Sequence, residues 1–166
     1  MQSVIISLAV VILDQVSKLL VVNYLKPIDS ITLIKNVLKL TYLENTGAAF
    51  GTFTDNRVVF MTLSVVIIAV LAFVVWRFHG QNKLFDICMG LILGGGVGNM
   101  IDRIRLGYVV DFIDFCAFDF WKYVFNIADS AVVIGCMIAI VYVIFDKKSL
   151  SSDKKTEAEG ENDDEQ

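Results

Sequence analysis

The most constraining feature of the sequence is a run of 19 residues, 58–76, that contains no charged side chain. An α-helix rises about 1.5 Å per residue, so roughly 20 apolar residues cross a hydrocarbon core about 30 Å thick. Three more segments have nearly the same character, at 4–24, 84–101 and 126–145. Because 56% of the residues are hydrophobic and only 19% are charged, the composition favours a membrane protein over a soluble domain. We therefore predict an all-α membrane protein with four transmembrane helices.

The first segment, residues 4–24, opens without a basic region and without a small-residue cleavage site, so we predict a retained helix rather than a signal peptide. An even number of spans places both termini on the same side of the membrane. Lysine and arginine counts in the loops on the two sides are nearly tied. The positive-inside rule therefore does not identify the cytoplasmic side.

The end of the chain has a different composition from the rest. Residues 146–166 hold eight acidic and four basic side chains, whereas residues 1–145 hold ten of each. The tail has almost nothing apolar to bury, which is typical of disordered segments. We predict a membrane domain at 1–145, followed by a disordered acidic tail at 146–166 without a catalytic role.

The connection between the first two spans contains a strand pattern. From Leu38 to Tyr42 apolar and polar residues alternate with the period of a β-strand. The strand pattern leads into Glu44-Asn45-Thr46-Gly47, a cluster of residues that favour turns. These features predict a small β-sheet outside the membrane.

Glycines recur every four residues in the third span, at Gly90, Gly94 and Gly98. They line one face of the predicted helix with hydrogen atoms instead of side chains, which lets a neighbouring helix approach closely. A phosphate-binding loop is the alternative for the run 94–98, but such a loop needs a following Lys and Ser or Thr that this sequence lacks. We therefore assign the glycines to helix packing.

The cysteines do not form a recognisable site. Cys88, Cys116 and Cys136 contain no CxxC pair, and two of them lie within predicted spans, where a thiol packs as a small apolar group. We expect neither a disulfide nor a metal site. No basic patch suggests nucleic acid as a partner.

Ionisable side chains within a bilayer are costly unless they are paired or face a polar cavity, so each is a functional candidate. Asp14 and Lys18 are four residues apart, hence on one face of the first helix, and a structural ion pair is the simplest interpretation. Asp102 and Arg103 follow the third span, where they could cap, anchor or bind an anionic group. Position alone does not separate these roles.

Two further carboxylates come together at one membrane face. Asp129 lies three residues inside the fourth span, and Asp111 belongs to the loop that joins the third and fourth spans. Two carboxylates that share a proton are sufficient for peptide hydrolysis, because the ionised one activates water and the protonated one donates to the carbonyl. From the residues alone, simple pairing of these carboxylates with Arg103, Arg105 or Lys122 is favoured over a catalytic pair.

Five sequence blocks, in order, resemble the motifs of the signal peptidase II family, also called lipoprotein signal peptidases. The likeness covers residues 8–145. The blocks are Asp14-Gln-Val-Ser-Lys18, Asn45-Thr-Gly-Ala-Ala-Phe50, Gly98-Asn-Met-Ile-Asp-Arg103, Val110-Asp-Phe112 and Phe125-Asn-Ile-Ala-Asp129.

The resemblance implies a four-helix bundle with both termini in the cytoplasm and a small extracytoplasmic sheet. It implies that Asp111 and Asp129 are catalytic, without a metal or another cofactor. It also implies two further groups of residues. Substrate-binding residues would be Asn45, Asn99, Arg103 and Asn126, and structural or supporting residues would be Asp14, Lys18, Gly98, Asp102 and Ala128.

The implied activity is that of an aspartic endopeptidase in the bacterial cytoplasmic membrane. Its substrates would be prolipoproteins whose cysteine carries a diacylglyceryl group, cut on the amino side of that cysteine near the extracytoplasmic face. The expected partners are these substrates and membrane lipids, and we expect a monomer.

Two other functions compete with this interpretation. A metal-dependent phosphatidyl transferase of the CDP-alcohol type would use Asp102, Asp111 and Asp114, but the last two are three residues apart instead of the required four. A proton-coupled transporter would use intramembrane carboxylates such as Asp14 and Asp129. Four spans without an inverted repeat argue against a transporter. The single histidine, His79, lies in the loop on the opposite face, which excludes a Ser-His or Cys-His site with the aspartates.

Overall fold

The computed structural model describes residues 1–46, 57–80, 82–117 and 123–144. Within these ranges, four helices are long and apolar enough to cross a membrane, as the sequence predicted. Residues 47–50 of the Asn45 block and the predicted tail at 146–166 lie outside the described residues. The helices are α1 (Gln2–Leu20, continued by a π-helical turn at Val21–Leu25), α2 (Arg57–Phe78), α3 (Lys83–Arg105) and α4 (Ile127–Ile144).

A four-stranded antiparallel sheet lies at one end of the bundle. Its strands, in spatial order, are β1 (Ser30–Ile34), β2 (Leu38–Asn45), β3 (Val109–Phe115) and β4 (Val124–Phe125). The strand predicted from the alternation at 38–42 is confirmed within β2, whereas β3 and β4 replace a predicted loop. The first four residues of β3 are all buried, so this strand lacks the polar-apolar alternation that identified β2.

A β-bulge in β2 sets which side chains face β3. Leu40 is opposite Ile113, but the next pair is Leu43 with Asp111, so β2 holds one extra residue at this point. A bulge reverses the alternation beyond it, and Asn45 therefore shares a face with Asp111 as its diagonal neighbour. In an unbroken ladder, Glu44 would occupy that face instead.

Helix α3 is at the centre of the bundle, and its glycines explain how the other helices reach it. A Cβ at Gly94 would lie 2.8 Å from the Ser7 carbonyl oxygen of α1, and a Cβ at Gly95 would collide with the Ala128 carbonyl oxygen of α4. Only glycine permits these close backbone contacts. The predicted glycine face is confirmed, and its partner is α1.

The two ends of the bundle carry different polar groups. At the end where α1 starts, the Ser3 hydroxyl donates to Asp86 Oδ1 (2.7 Å) and the Gly80 amide donates to Asp86 Oδ2 (3.1 Å). His79 follows α2 at this same end. The opposite end holds the sheet, the last turns of α1 and α3, and the first turn of α4. Because α3 continues to Arg105, Asp102 belongs to the helix itself and not to the loop expected after it.

Candidate active site

The first turn of α4 is fixed by a reciprocal pair of hydrogen bonds. Asn126 precedes the helix, and its Oδ1 accepts from the Asp129 amide (2.8 Å), while Asp129 Oδ2 accepts from the Asn126 amide (3.3 Å). This capping-box arrangement satisfies two amides that would otherwise lack partners at the start of a helix. The local sequence Asn-x-x-Asp therefore determines where the Asp129 carboxylate points.

Asp111 is 1% exposed and accepts hydrogen bonds from two side-chain amides. Asn45 Nδ2 donates to its Oδ2 (2.8 Å), and Asn126 Nδ2 donates to its Oδ1 (2.6 Å). Burial and, to a smaller extent, the negative charge of Asp129 together raise the pKa of Asp111 to about 6, although the two amides oppose this effect. Asp111 therefore holds a proton more readily than an ordinary aspartate.

Asn126 contacts both members of what we call the aspartate pair, Asp111 and Asp129. Its Nδ2 donates to Asp111 and its Oδ1 accepts from the Asp129 backbone. A second amide reaches the pair from α3, because Asn99 Nδ2 donates to Asp129 Oδ1 (2.7 Å). The two carboxylates thus belong to one hydrogen-bonded unit although they are 18 residues apart in the sequence.

A buried ion network supports this unit from α1. Lys18 is 3% exposed, and its three N–H donors each find an acceptor at 2.9 Å: Asp14 Oδ2, Asp102 Oδ2 and Asn99 Oδ1. The expected Asp14–Lys18 ion pair is therefore part of a larger network. Because an ammonium group only donates, Lys18 holds the Asn99 oxygen and turns the Asn99 Nδ2 towards Asp129.

Both carboxylates of the ion network also bind backbone amides. Asp14 Oδ1 accepts from the Ala128 amide (3.0 Å), and Asp102 Oδ2 accepts from the Val110 amide next to Asp111 (3.1 Å). Among the described residues, every buried side-chain nitrogen or oxygen has a hydrogen-bond partner. A fully satisfied buried network of this kind is rigid, and here it locates the strand and the helix that carry the aspartate pair.

A cavity of about 460 Å³ opens beside the aspartate pair. Its polar wall contains Asn45, Asn99, Arg103, Asp111 and Asp129. Its apolar wall comes mainly from α2 and α4, including Ile67, Ile68, Val132 and Val133. A concave apolar site with a few convergent polar groups is the usual form of a substrate site.

The structure brings the sequence-predicted residues into two layers. Asn45, Asn99, Arg103 and the aspartate pair line the cavity, whereas Asn126 is completely buried and contacts the pair from behind. The predicted supporting residues Asp14, Lys18, Asp102, Gly98 and Ala128 form the layer beneath.

Gln15 belongs to the lower layer and was not singled out from the sequence. Its Nε2 donates to the Gly98 carbonyl (3.2 Å) and to Asp102 Oδ1 (3.0 Å), which ties α1 to α3. The available signal was its position: a polar side chain between Asp14 and Lys18 in an otherwise apolar helix.

Asp114 does not join the aspartate pair. It is three residues beyond Asp111 on β3, and its Oδ2 accepts from the Thr41 hydroxyl on β2 (3.0 Å). Asp102 in turn binds Lys18. The carboxylates that a phosphatidyl transferase would need, Asp102, Asp111 and Asp114, therefore have separate partners, and within the described residues no three acidic, His or Cys side chains are grouped to hold a metal.

Comparisons with known proteins identify the family. A family model described as Signal peptidase (SPase) II matches residues 6–145. A lipoprotein signal peptidase of Halothermothrix orenii is 46% identical over 139 residues, which cover 84% of this chain and 92% of the relative. A lipoprotein signal peptidase of Caldanaerobacter subterraneus subsp. tengcongensis is 45% identical over 143 residues, covering 86% and 96%.

Two solved structures of bacterial membrane enzymes, both determined by the in meso method, share the fold. One has a TM-score of 0.80 and 33% identity over 89% of this chain and 90% of the other. The second has a TM-score of 0.76 and 34% identity over 85% and 91%. The family match, the relatives and the fold lead to one conclusion: this chain belongs to the signal peptidase II family, whose members are aspartic peptidases.

Proposed function

We propose that this protein removes signal peptides from prolipoproteins whose cysteine carries a diacylglyceryl group, cutting on the amino side of that cysteine. The observation that carries the proposal is the aspartate pair itself. Two carboxylates joined through Asn126 meet an apolar cavity that opens between two membrane helices. A lipidated peptide that stays in the bilayer can enter such a site from the side, without extraction of its acyl chains.

The reaction needs one ionised and one protonated carboxylate. The ionised aspartate takes a proton from water while the water oxygen attacks the scissile carbonyl carbon, and the protonated aspartate donates its proton to the carbonyl oxygen. The resulting diol collapses when a proton passes to the amide nitrogen and the carbon–nitrogen bond breaks. The signal peptide leaves with a new carboxyl terminus, and the lipidated cysteine leaves with a free amino group.

The surroundings of the two carboxylates suggest which is the base. Asp129 lies in the first turn of α4, where the helix dipole favours negative charge, and it accepts from an Asn99 amide that Lys18 polarises. Asp111 instead lies on strand β3, away from a helix terminus, and accepts from the neutral amides of Asn45 and Asn126. Asp129 is therefore assigned as the base and Asp111 as the acid.

Asn45 and Arg103 are assigned to substrate binding, and Asn99 to both binding and support. Asn45 and Arg103 line the cavity next to the aspartate pair. A guanidinium group donates hydrogen bonds in a fixed planar geometry, which suits a peptide carbonyl beside the scissile bond. Asn126 is assigned to positioning, because it contacts the pair from the protein interior.

The proposed orientation has both termini in the cytoplasm and the sheet outside. Helix α1 starts at the end of the bundle opposite the aspartate pair, and α4 starts at the end that holds it. A cytoplasmic start of α1 therefore puts the active site and the sheet near the extracytoplasmic surface. Reporter fusions at the two termini test this orientation, and an extracytoplasmic reporter at either terminus would contradict it.

The decisive experiment uses purified full-length protein in detergent. It should release a signal peptide from a diacylglyceryl-modified precursor at neutral pH, and the unmodified precursor should be cut much more slowly. Equal cleavage of both precursors would indicate a general membrane peptidase. Absence of cleavage, combined with proton-coupled uptake or headgroup exchange in vesicles, would favour the transporter or transferase. Size analysis in the same detergent tests the proposed monomer.

A further inference from the structure

The glycines of α3 differ in what their missing side chains would meet. At Gly90, Gly94, Gly95 and Gly98 a Cβ would approach backbone or carboxylate atoms of α1 or α4 more closely than 3 Å. At Gly96 a Cβ would meet only the side chain of Ile68 on α2, with Cγ1 at 3.4 Å and Cδ1 at 3.9 Å. Helix packing therefore explains four of these glycines and leaves Gly96 unexplained.

Gly96 also has a cost that packing does not offset. A glycine inside a helix is less favourable than alanine, because it loses more backbone entropy on folding. Gly96 lines the cavity beside the aspartate pair, opposite the apolar side chains of α2 and α4. The absent side chain thus enlarges the cavity, and it does so without closing a helix contact.

The position of Gly96 along α3 says which part of the cavity it enlarges. Asn99, which donates to Asp129, follows Gly96 by three residues, or about 4.5 Å of helix rise. Gly96 is on the side of Asn99 that leads into the bundle, and Ile68 and Val132 surround the same space. The enlarged part, which we call the slot, is therefore the portion of the cavity that lies on the bundle side of Asn99, beside Ile68 and Val132.

We propose that Gly96 determines substrate specificity by keeping this slot open for an acyl chain of the lipidated cysteine. The inference rests on the proposed function, since the cleaved bond adjoins the cysteine that carries the lipid. An acyl chain attached there begins within one residue of the reacting carbonyl, and its hydrocarbon matches the isoleucine and valine walls. Larger side chains at position 96 would shorten the slot and select for shorter acyl chains.

The test compares Gly96→Ala and Gly96→Leu with wild type on precursors that carry long or short acyl chains. Gly96→Leu should raise KM for the long-chain precursor roughly tenfold, because added side-chain volume in an apolar pocket typically weakens binding by about that factor. It should change KM for the short-chain precursor little. The KM of Gly96→Ala for the long-chain precursor should lie between that of wild type and that of Gly96→Leu. Adding Ile68→Ala to Gly96→Leu should restore part of the long-chain activity, because it reopens the slot from the facing helix.

Stability measurements separate occlusion from misfolding. Gly96→Ala should keep or raise the melting temperature, whereas Gly94→Ala should lower it, since the latter methyl group would meet the Ser7 carbonyl. If Gly96→Leu does not fold, Ile68→Trp narrows the same slot from α2, a helix that faces lipid, and should give the same chain-length selection.

Two results would overturn the inference while leaving the proposed function intact. In the first, the wild-type enzyme cleaves the lipidated precursor, and every variant has the same KM as wild type for both the long-chain and the short-chain precursor. The other is a loss that depends on the residue before the cysteine and not on acyl length, which would assign the slot to the peptide. A wild-type enzyme that cleaves no lipidated precursor would instead overturn the proposed function.

Discussion

The two sides of helix α3 are built on opposite principles. Towards α1 the helices touch through glycines, and buried charges and amides join Lys18 to Asn99 and Asp102. Towards α2 there is an open cavity, and only 6% of the apolar stretch of α2 is buried against protein, compared with 44% of that of α3.

This difference shows how one small bundle meets two requirements. We call the side of α3 that packs on α1 the closed side, and the side that faces α2 across the cavity the open side. The aspartate pair needs its geometry held within tenths of an ångström, and the closed side supplies a satisfied polar network for that purpose. A lipid-anchored substrate needs lateral entry, and the open side supplies the cavity beside the aspartate pair, while α2 packs on α3 at the other end through Val75, Cys88 and Met89. The predictions that follow weaken one side at a time.

The largest effect is expected where the two sides meet, at the aspartate pair. Asp111→Asn and Asp129→Asn keep the side-chain shape but remove a titrating group, so each should reduce cleavage at least about 10³-fold. Turnover is measured with lipidated precursor under matched expression, and the same assay with EDTA should proceed at the normal rate. Activity that is lost on chelation would point to a metal site.

Asp114→Asn is the matched control for the aspartate pair. Asp114 lies on the same strand as Asp111 but binds Thr41. This variant should retain most activity. If it were as inactive as Asp111→Asn, the effect would belong to the strand and not to the titrating pair.

On the closed side, Lys18→Met should cause the largest loss of stability. It leaves Asp14 and Asp102 buried without their cation, and breaking a buried ion pair in this way costs about 3–5 kcal/mol. Thermal melting in detergent measures the effect. Lys26→Met is the control, because it breaks an exposed pair with Glu44 (2.9 Å) and should change melting little. Similar melting of the two variants would contradict the closed-side argument.

On the open side, Arg103→Ala should impair cleavage without a comparable loss of stability. Arg103 lines the cavity, and losing a charged hydrogen bond to substrate costs about 1.5–3 kcal/mol, so kcat/KM should fall at least tenfold. Arg105→Ala is the control, since Arg105 is exposed and donates to Gln15 at 3.5 Å. Wild-type hydrolysis by Arg103→Ala would remove this residue from the substrate site.

A smaller and graded effect is expected from pH. If Asp111 is the acid, kcat/KM falls as pH rises through its pKa of about 6, because only the protonated form donates. The pKa measured from this pH profile belongs to the coupled pair of aspartates. The assignment of acid and base therefore depends on whether kcat/KM falls or rises with pH in this region. A rise in kcat/KM through this region would exchange the roles of the two aspartates.

Stability gives the same information without turnover. The folded pKa of Asp111, about 6, exceeds the ordinary value of 3.8, so its ionisation lowers stability as pH rises between these values. The melting temperature of Asp111→Asn relative to that of wild type should therefore rise as the pH increases from 4 to 6. A constant difference across this range would mean that Asp111 titrates normally.

The smallest effect is expected outside both sides, in the acidic tail. Truncation after Lys148 removes residues whose composition cannot form an apolar core, so specific activity should stay within about twofold of wild type. The comparison uses equal amounts of correctly inserted protein. A large loss would give the tail a role that its composition does not suggest.

The sequence predicted the helices well because each long charge-free run has one stable solution in a bilayer. The ends of the elements were less predictable: α3 continues past Asp102, since the Lys18 ammonium compensates that charge inside the helix. Strand β3 was interpreted as a loop, because its buried residues mimic a short apolar run. The bulge that turns Asn45 towards Asp111 has no local signal, since it depends on the register of two strands distant in sequence.

Candidate site residues could be proposed from the sequence, but their division into layers could not. Lys18 and Asn99 are 81 residues apart, and their contact arises only when the glycine face of α3 packs on α1. Likewise, Asn126 resembles Asn45 in the sequence motifs, yet one is buried behind the aspartate pair and the other lines the cavity. Such distinctions depend on tertiary packing.

The hydrogen bond between Asp14 and the Ala128 amide has a consequence for how the enzyme is made. It joins residues separated by 114 positions, so it can form only after all four helices have entered the membrane. Until then Asn99 lacks Asp129, and Asp111 lacks Asn126. A nascent chain that has been only partly synthesised therefore cannot hydrolyse peptides. Proteolytic competence arises in the last step of biogenesis, when the fourth helix folds back against the first.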